Sequence, residues 1–474
     1  MKLRTLRFAR ALSILGTALL SSQAFAGGLF FSDRGVRPIA RGGAFVAGAD
    51  DLHSIWYNPA GLADVDPSLL VDFAWLNYSS EFTRKTRVVD NQGTVRYFDS
   101  PTAKGSTPVL PIPTMAGAIK LGKSKEFTLA FGVYAPYTAI TSFPERVNGE
   151  PAASRYSLVS MDGSMLVIMG GYLAYKPIEE LRIGAGVQML TGTFRSSLYM
   201  SANPADRLLS APEDPTYDAM SQLNVGPIFA PSGNLGVTVV PKPWLRIGAS
   251  LQLPFWINAP ATIQVRLPSA ALLDKARQEG EDANVRFRIP PIVRFGVEVR
   301  PVPELRVEVA YTREFWSMHD NITVTPTNIK LHDITGFPSP YAISTITLPR
   351  NFEDSNSFRL GGEYTVKVAD YKMPLRLGVQ YETSAIPRPY LSPLTFDSNK
   401  VIIGAGGGIY LGKRWRFDAS FARVIATPVD VSPEEAAIGR VSPVAGNPTS
   451  AEKINGGHYS AYANIFGVGA EYKF

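Results

Sequence analysis

The chain has 474 residues, no cysteine, 45% hydrophobic residues and a formal charge of +6. Four of those positive charges, Lys2, Arg4, Arg7 and Arg10, sit at the very start with no acid among them, so the remainder is close to neutral and nucleic-acid binding has no electrostatic support. No disulfide framework can form, and no run beyond the first segment reaches the roughly 18 apolar residues of a spanning helix.

The basic start, the apolar run from Ala11 to Leu20 and the small-residue site Ala24-Phe25-Ala26 read as a secretory signal peptide over residues 1–26. A mature chain from Gly27 is expected. An exported chain with diffuse hydrophobicity is either a soluble periplasmic β-protein or an outer-membrane barrel. Residues 27–67 come next and carry no period of two. Within them, "DDLHSIWYNPAGLADVD" from Asp50 packs a Trp, a Tyr, an Asn-Pro turn and a Gly between acids. Its apolar Ile55, Trp56, Leu62 and Val65 need burial, which a loose tail would not give them.

From residue 68 onward, apolar and polar residues alternate. In "ELRVEVAYT", Leu305, Val307, Val309 and Tyr311 share one face, with Arg306, Glu308, Ala310 and Thr312 on the other. That is a half-buried antiparallel strand. Similar runs begin at Glu180, Trp244, Pro374 and Arg414. Fourteen strands are expected, over 69–82, 112–121, 126–136, 155–176, 180–200, 233–241, 244–266, 284–301, 304–325, 356–369, 373–385, 399–411, 414–426 and 458–474. Short polar turns such as "GKSKE" (from Gly122) and "PKPW" alternate with long Pro-, Asn- and Asp-rich segments: 83–111, 201–233, 326–355 and 428–457. This asymmetry, with an even strand number, predicts an all-β, 14-stranded antiparallel transmembrane barrel at residues 68–474, located in the outer membrane of a Gram-negative bacterium. The last strand agrees: Tyr462, Phe466, Val468, Ala470, Tyr472 and Phe474 face one way, with Ile465 the exception on the other face.

Catalytic and metal signals are weak. "GGIYLGK" from Gly407 approaches a phosphate loop, but Arg414 stands where Ser or Thr would hold magnesium, and no helix follows to receive phosphate. His53, His319, His332 and His458 lack metal-ligand spacing. No enzyme activity and no cofactor are expected. Arg182, Arg246, Arg306, Arg376 and Arg416 fall on the inward face near the short turns. They read as lumen polarity paired with carboxylates such as Glu308 and Asp418, or, more sharply, as an anion-guiding ring.

The stretch "RGGAFVAGADDLHSIWYNPAGL" from Arg41, with Asn58, Pro59 and Ala60 as an NPA motif, resembles the FadL-type family of outer-membrane transporters of long-chain fatty acids and aromatic hydrocarbons. "SRYSL" at Ser154, "LGVQYETSAIP" at Leu377 and "NIFGVGAEYKF" at Asn464 extend the resemblance over the mature chain. It implies a monomer whose residues 27–67 form a hatch inside the lumen, and a wall opening beside a kinked third strand. In "EFTLAFGVYAP", Gly132 and Pro136 are the kink candidates, with the plainer alternative that Gly132 faces the lumen and Pro136 ends the strand. Trp56, Phe131 and Arg155 are the candidate ligand contacts. The expected function is passive transport of hydrophobic molecules, foremost long-chain fatty acids, which bind in an apolar lumen pocket and leave sideways. Aromatic hydrocarbons are the alternative substrates; a general porin or a barrel enzyme are the rivals. Substrate would first adsorb on "VGPIFAP" at Val225 or "SAALLDKARQEG" at Ser269. Outer-membrane lipids, lipopolysaccharide and the barrel-assembly machinery are the other expected partners.

Overall fold

The computed structural model describes residues 33–109, 111–122, 125–135, 140–207, 212–442 and 452–474. The signal segment and Pro136 fall outside these. Fourteen antiparallel strands follow one another around the molecule: β1 (Ser68–Val89), β2 (Pro111–Leu121), β3 (Phe127–Tyr134), β4 (Met165–Ile178), β5 (Leu181–Ser201), β6 (Asp218–Lys242), β7 (Leu245–Gln252, continued by Phe255–Arg266), β8 (Asp282–Ile289 and Ile292–Val302), β9 (Leu305–Glu314 and Asn321–Pro326), β10 (Ser355–Val368), β11 (Tyr371–Glu382), β12 (Lys400–Leu411), β13 (Trp415–Ala426) and β14 (Gly457–Lys473). β14 pairs with β1 from Ser68–Lys473 to Arg84–Gly457 and closes the barrel. Closure removes the free sheet edges that lipid could not satisfy.

Alternation sorts the side chains. Leu129, Phe131, Leu173, Val187, Phe229, Phe295, Val309 and Leu377 are exposed on the outer face. Ala116, Ala130, Tyr172, Gln252 and Ala310, their inward neighbours, are buried. Toward the short-turn end, Trp415 packs on Phe417 and Tyr472, and Tyr472 on Phe474. This is the aromatic girdle of a membrane interface.

Several boundaries differ from the sequence reading. Residues 155–164 are not strand: a 3-10 turn at Ala153–Tyr156 precedes β4. β1 runs on to Val89 and pairs with Val95–Asp99, so the segment after Thr83 begins as a hairpin rather than a loop. β6 starts at Asp218, which turns half of the expected loop 201–233 into wall. "VGPIFAP" is therefore strand, with Phe229 pointing outward and Val225, Ile228 and Ala230 buried. It is no loop for substrate to adsorb on. Its Gly and Pro residues hid this, because the register shift between Val225 and Ile228 absorbs Pro227 and the ladder then resumes. The runs expected at 284–301 and 304–325 are each broken once.

Candidate functional site: a buried lumen segment and the cavity above it

Residues 33–66 lie inside the barrel. Two short helices, α1 (Val36–Ala40) and α2 (Ser54–Tyr57), and a 3-10 turn at Pro59–Asp64 carry the segment. Helices this short do not stand alone in water; the wall holds them. Inward glycines admit the backbone. A Cβ at Gly236 would lie 2.0 Å from Asn58 Oδ1, and one at Gly378 would lie 2.1 Å from the Arg41 carbonyl carbon. Gly184, Gly248 and Gly404 leave similar room for Pro59, Ala47 and Ile39.

The paired acids now have partners. Asp50 binds Arg37 at 2.8 Å and Arg306 at 2.7 Å. Asp51 binds Arg37 and Arg416, each at 2.9 Å. Asp64 takes Arg182 at 3.0 Å and Arg246 at 2.9 Å. Arg376 lies between Glu363 and Asp418. All five inward arginines are thus paired with carboxylates, four of them with acids of the segment and Arg376 within the wall, so the anion-guiding ring is corrected to a set of ion pairs that mainly fastens segment to wall. Burial disfavours charge on these groups, but Arg306 and Arg37 beside Asp50, and His53 followed by Arg37 and Arg416 beside Asp51, outweigh it and hold both carboxyls well below the usual range. His53 lies between Asp51 (2.9 Å) and Asp72 of β1 (2.6 Å). Burial opposes its protonation, yet these two carboxylates raise it to about 10.

Asn58 is the hinge of the NPA motif. Its Nδ2 donates to the Val46 carbonyl (2.9 Å), the Val237 carbonyl (3.2 Å) and Thr238 Oγ1 (3.0 Å), while Oδ1 accepts from Ala60 N–H (3.1 Å). One side chain thus ties two stretches of the segment to β6. Asn58→Leu should cost about 1–3 kcal/mol for the buried groups it strands. Limited proteolysis should cut within residues 33–66 of this variant, while the heat-modifiable barrel band persists.

Toward the long-loop end lies an apolar cavity of ≈ 190 Å³. Trp56 and Arg34 line its floor, with the Arg34 guanidinium 3.7 Å from the Trp56 ring centroid. Leu190, Phe194, Leu223, Phe255 and Phe287 line its sides. A second cavity of ≈ 640 Å³ adjoins it and shares Leu198, Leu348, Arg350 and Leu394. Arg350 is 4% exposed. Among the described residues no carboxylate lies within ion-pair distance of it, and its Nε has no hydrogen-bond partner. Burial lowers it only to about 10, so it stays charged. Nothing in the sequence around Arg350 marked it.

Among the described residues the ladder is interrupted beside this cavity. β3 pairs with β4 up to Tyr134–Ile168. Pairing resumes where Met161 N–H donates to the Thr141 carbonyl at 3.1 Å. Thr141, Met161, Leu166 and Ile168, on the edges of the interruption, all line the cavity.

Of the residues singled out from sequence, Trp56 lines the cavity. Asn58, Pro59 and Ala60 are buried against the wall. Gly132 faces the lumen, and a Cβ there would lie 2.4 Å from Ile55 Cδ1. Phe131 is 58% exposed on the outer face, as its place in the alternation of β3 dictates, so it does not reach the lumen. Arg155 does not line the cavity; Asp218 (2.7 Å) and Glu213 (2.8 Å) occupy it near the loops.

The sequence matches the family described as "Outer membrane protein transport protein (OMPP1/FadL/TodX)" over residues 17–474. No curated protein matches the chain. Among solved structures, a Pseudomonas aeruginosa FadL homologue is similar with a TM-score of 0.73 at 15% identity, covering 94% of this chain and 100% of that one. The Ralstonia pickettii toluene transporter TbuX gives 0.59 at 17% identity, covering 94% and 99%. The Pseudomonas putida toluene transporter TodX gives 0.58 at 14% identity, covering 96% and 100%.

Proposed function

Because the chain belongs to the OMPP1/FadL/TodX family of outer membrane transport proteins, we propose that it carries hydrophobic acids, foremost long-chain fatty acids, from the cavity above residues 33–66 sideways into the bilayer. In this reading residues 27–67 act as a hatch. An apolar chain gains by staying out of water, and the interruption beside β3 offers it a way to lipid without crossing an aqueous pore. Arg350 carries the choice of an acid. A buried guanidinium without a counter-ion costs several kcal/mol, and a carboxylate brought in by the ligand would supply that counter-ion at the junction of the two cavities. TodX and TbuX are toluene transporters, and toluene would leave Arg350 unpaired.

The test is binding in nanodiscs to a long-chain fatty acid and to its methyl ester. A hydrogen-bonded charge is worth about 1.5–3 kcal/mol, so the acid should bind about ten- to a hundredfold more tightly. Arg350→Met should bind both alike. Equal affinities in the unaltered protein would favour uncharged aromatic hydrocarbons instead.

A further inference from the structure

The wall carries a second interruption on the same cavity. β8 and β9 pair as far as Ile292–Glu314, Phe315 N–H still donates to the Pro291 carbonyl at 3.1 Å, and the ladder resumes only at Arg286–Thr323. A 3-10 turn at Trp316–Met318 occupies the break on β9. On its other side β8 stays paired to β7 through Ile257–Phe287 and Phe255–Ile289. Side chains fill what the ladder leaves. His319 Nδ1 donates to the Arg288 carbonyl at 2.8 Å, and its ring meets Phe287 edge-on at 6.2 Å and Trp316 at 5.9 Å.

Seen from inside, Phe287, Ile289 and Ile322 line the central cavity. Seen from outside, Phe287 also lines a groove of ≈ 310 Å³ with Trp256, Asn258, Arg286, Arg288 and Met318. One aromatic side chain is therefore common to both spaces. The outer lip is basic and aromatic. The Arg288 guanidinium lies 4.5 Å from the Trp256 ring centroid, and Arg286 Nε donates to Asn258 Oδ1 at 3.2 Å. Among the described residues neither arginine has a carboxylate within ion-pair distance. Asp320 shares the groove, its backbone carbonyl accepting the N–H groups of Arg350 and Asn351, so two guanidinium groups face one carboxylate and the lip keeps a net positive charge.

We infer that this groove is a lateral loading site for acidic amphiphiles already dissolved in the outer leaflet. The acid head sits at Arg286 and Arg288, and the tail enters the cavity by displacing Phe287. A guanidinium on an exposed Trp beside an apolar slot suits a charged head with a hydrocarbon tail. The two interruptions then give one cavity a loading side and a release side. The inference rests on the central cavity being the ligand site.

The test uses the full chain in nanodiscs whose lipid contains a long-chain fatty acid bearing a tail diazirine. After irradiation, mass spectrometry should find adducts on groove residues Trp256 and Met318 and on cavity residues Leu223 and Phe255. Arg286→Gln with Arg288→Gln, both exposed positions, should lower both sets by about fivefold or more, the scale of one lost charge-assisted contact. Phe287→Ala should raise cavity labelling. Cavity labelling unchanged in the arginine double variant and in Phe287→Ala would overturn the lateral route alone. Absence of cavity labelling in the unaltered protein would overturn the cavity as ligand site, and the route with it.

Discussion

Glu308→Leu should free the lumen segment from a barrel that still folds. Glu308 is fully buried on the inward face of β9. Its Oε1 accepts the N–H groups of Val46 (2.6 Å) and Ala47 (2.9 Å), and its Oε2 accepts Gly48 N–H (3.0 Å) and Arg41 Nη2 (3.2 Å). Removing the carboxylate strands three backbone donors and leaves Arg41 with Glu298 alone, at 2.9 Å. Breaking one partner of a buried ion pair costs about 3–5 kcal/mol. That loss falls on docking, because the β8–β9 and β9–β10 ladders use backbone groups that the substitution does not touch. Ion conductance in planar bilayers should rise, and protease should cut residues 33–66, while the folded band remains heat-modifiable. Unaltered conductance together with intact residues 33–66 would show that Glu308 is not the fastener.

The same residue shows what the sequence made legible. The strand pattern and the even count needed only period two and the contrast between turns and loops. The arginines were visible because they recur at one place in each copy. Their purpose was half visible. Two positions after the arginine stands either a glycine (Gly184, Gly248, Gly378) or a carboxylate (Glu308, Asp418). The glycines let the backbone of residues 41–60 reach the wall, and Glu308 binds that backbone's N–H groups. Arginine followed by Gly or an acid was thus a docking pattern, but it could be read only once the three acids Asp50, Asp51 and Asp64 were known to lie inside. The cavity was less legible. Its residues come from most of the strands, and their convergence depends on the register. Phe131 shows the limit of the reading: an aromatic beside a kink candidate suggests a ligand contact, yet the parity of β3 sends it to lipid. Arg350 shows the reverse case, since an isolated arginine in a long loop gains meaning only from the carboxylates it lacks.

Parity and packing also decide how lateral exit should be tested. A bulky residue at Gly132 would strike Ile55, and one at Gly467 would strike Val36. Both would disturb the lumen segment, so neither separates a blocked wall from a displaced segment. Leu166 and Leu223 do separate them. Both line the cavity and both are partly buried. Leu223 is paired on both sides, opposite Ser196 of β5 and Ile263 of β7. Leu166 is paired to Gly192 of β5, and on its other side the β3–β4 pairs among the described residues end at Tyr134–Ile168. Tryptophan at either position removes similar volume from the cavity, at about 1–3 kcal/mol for overpacking. Only at position 166 does it also fill the interruption. Leu166→Trp should therefore cut uptake of a labelled long-chain fatty acid by about tenfold beyond Leu223→Trp, an added barrier of ~1.4 kcal/mol. Binding affinity in detergent should fall equally in the two variants. Equal uptake in both would mean that the ligand does not leave beside β3, whatever the family relationship suggests.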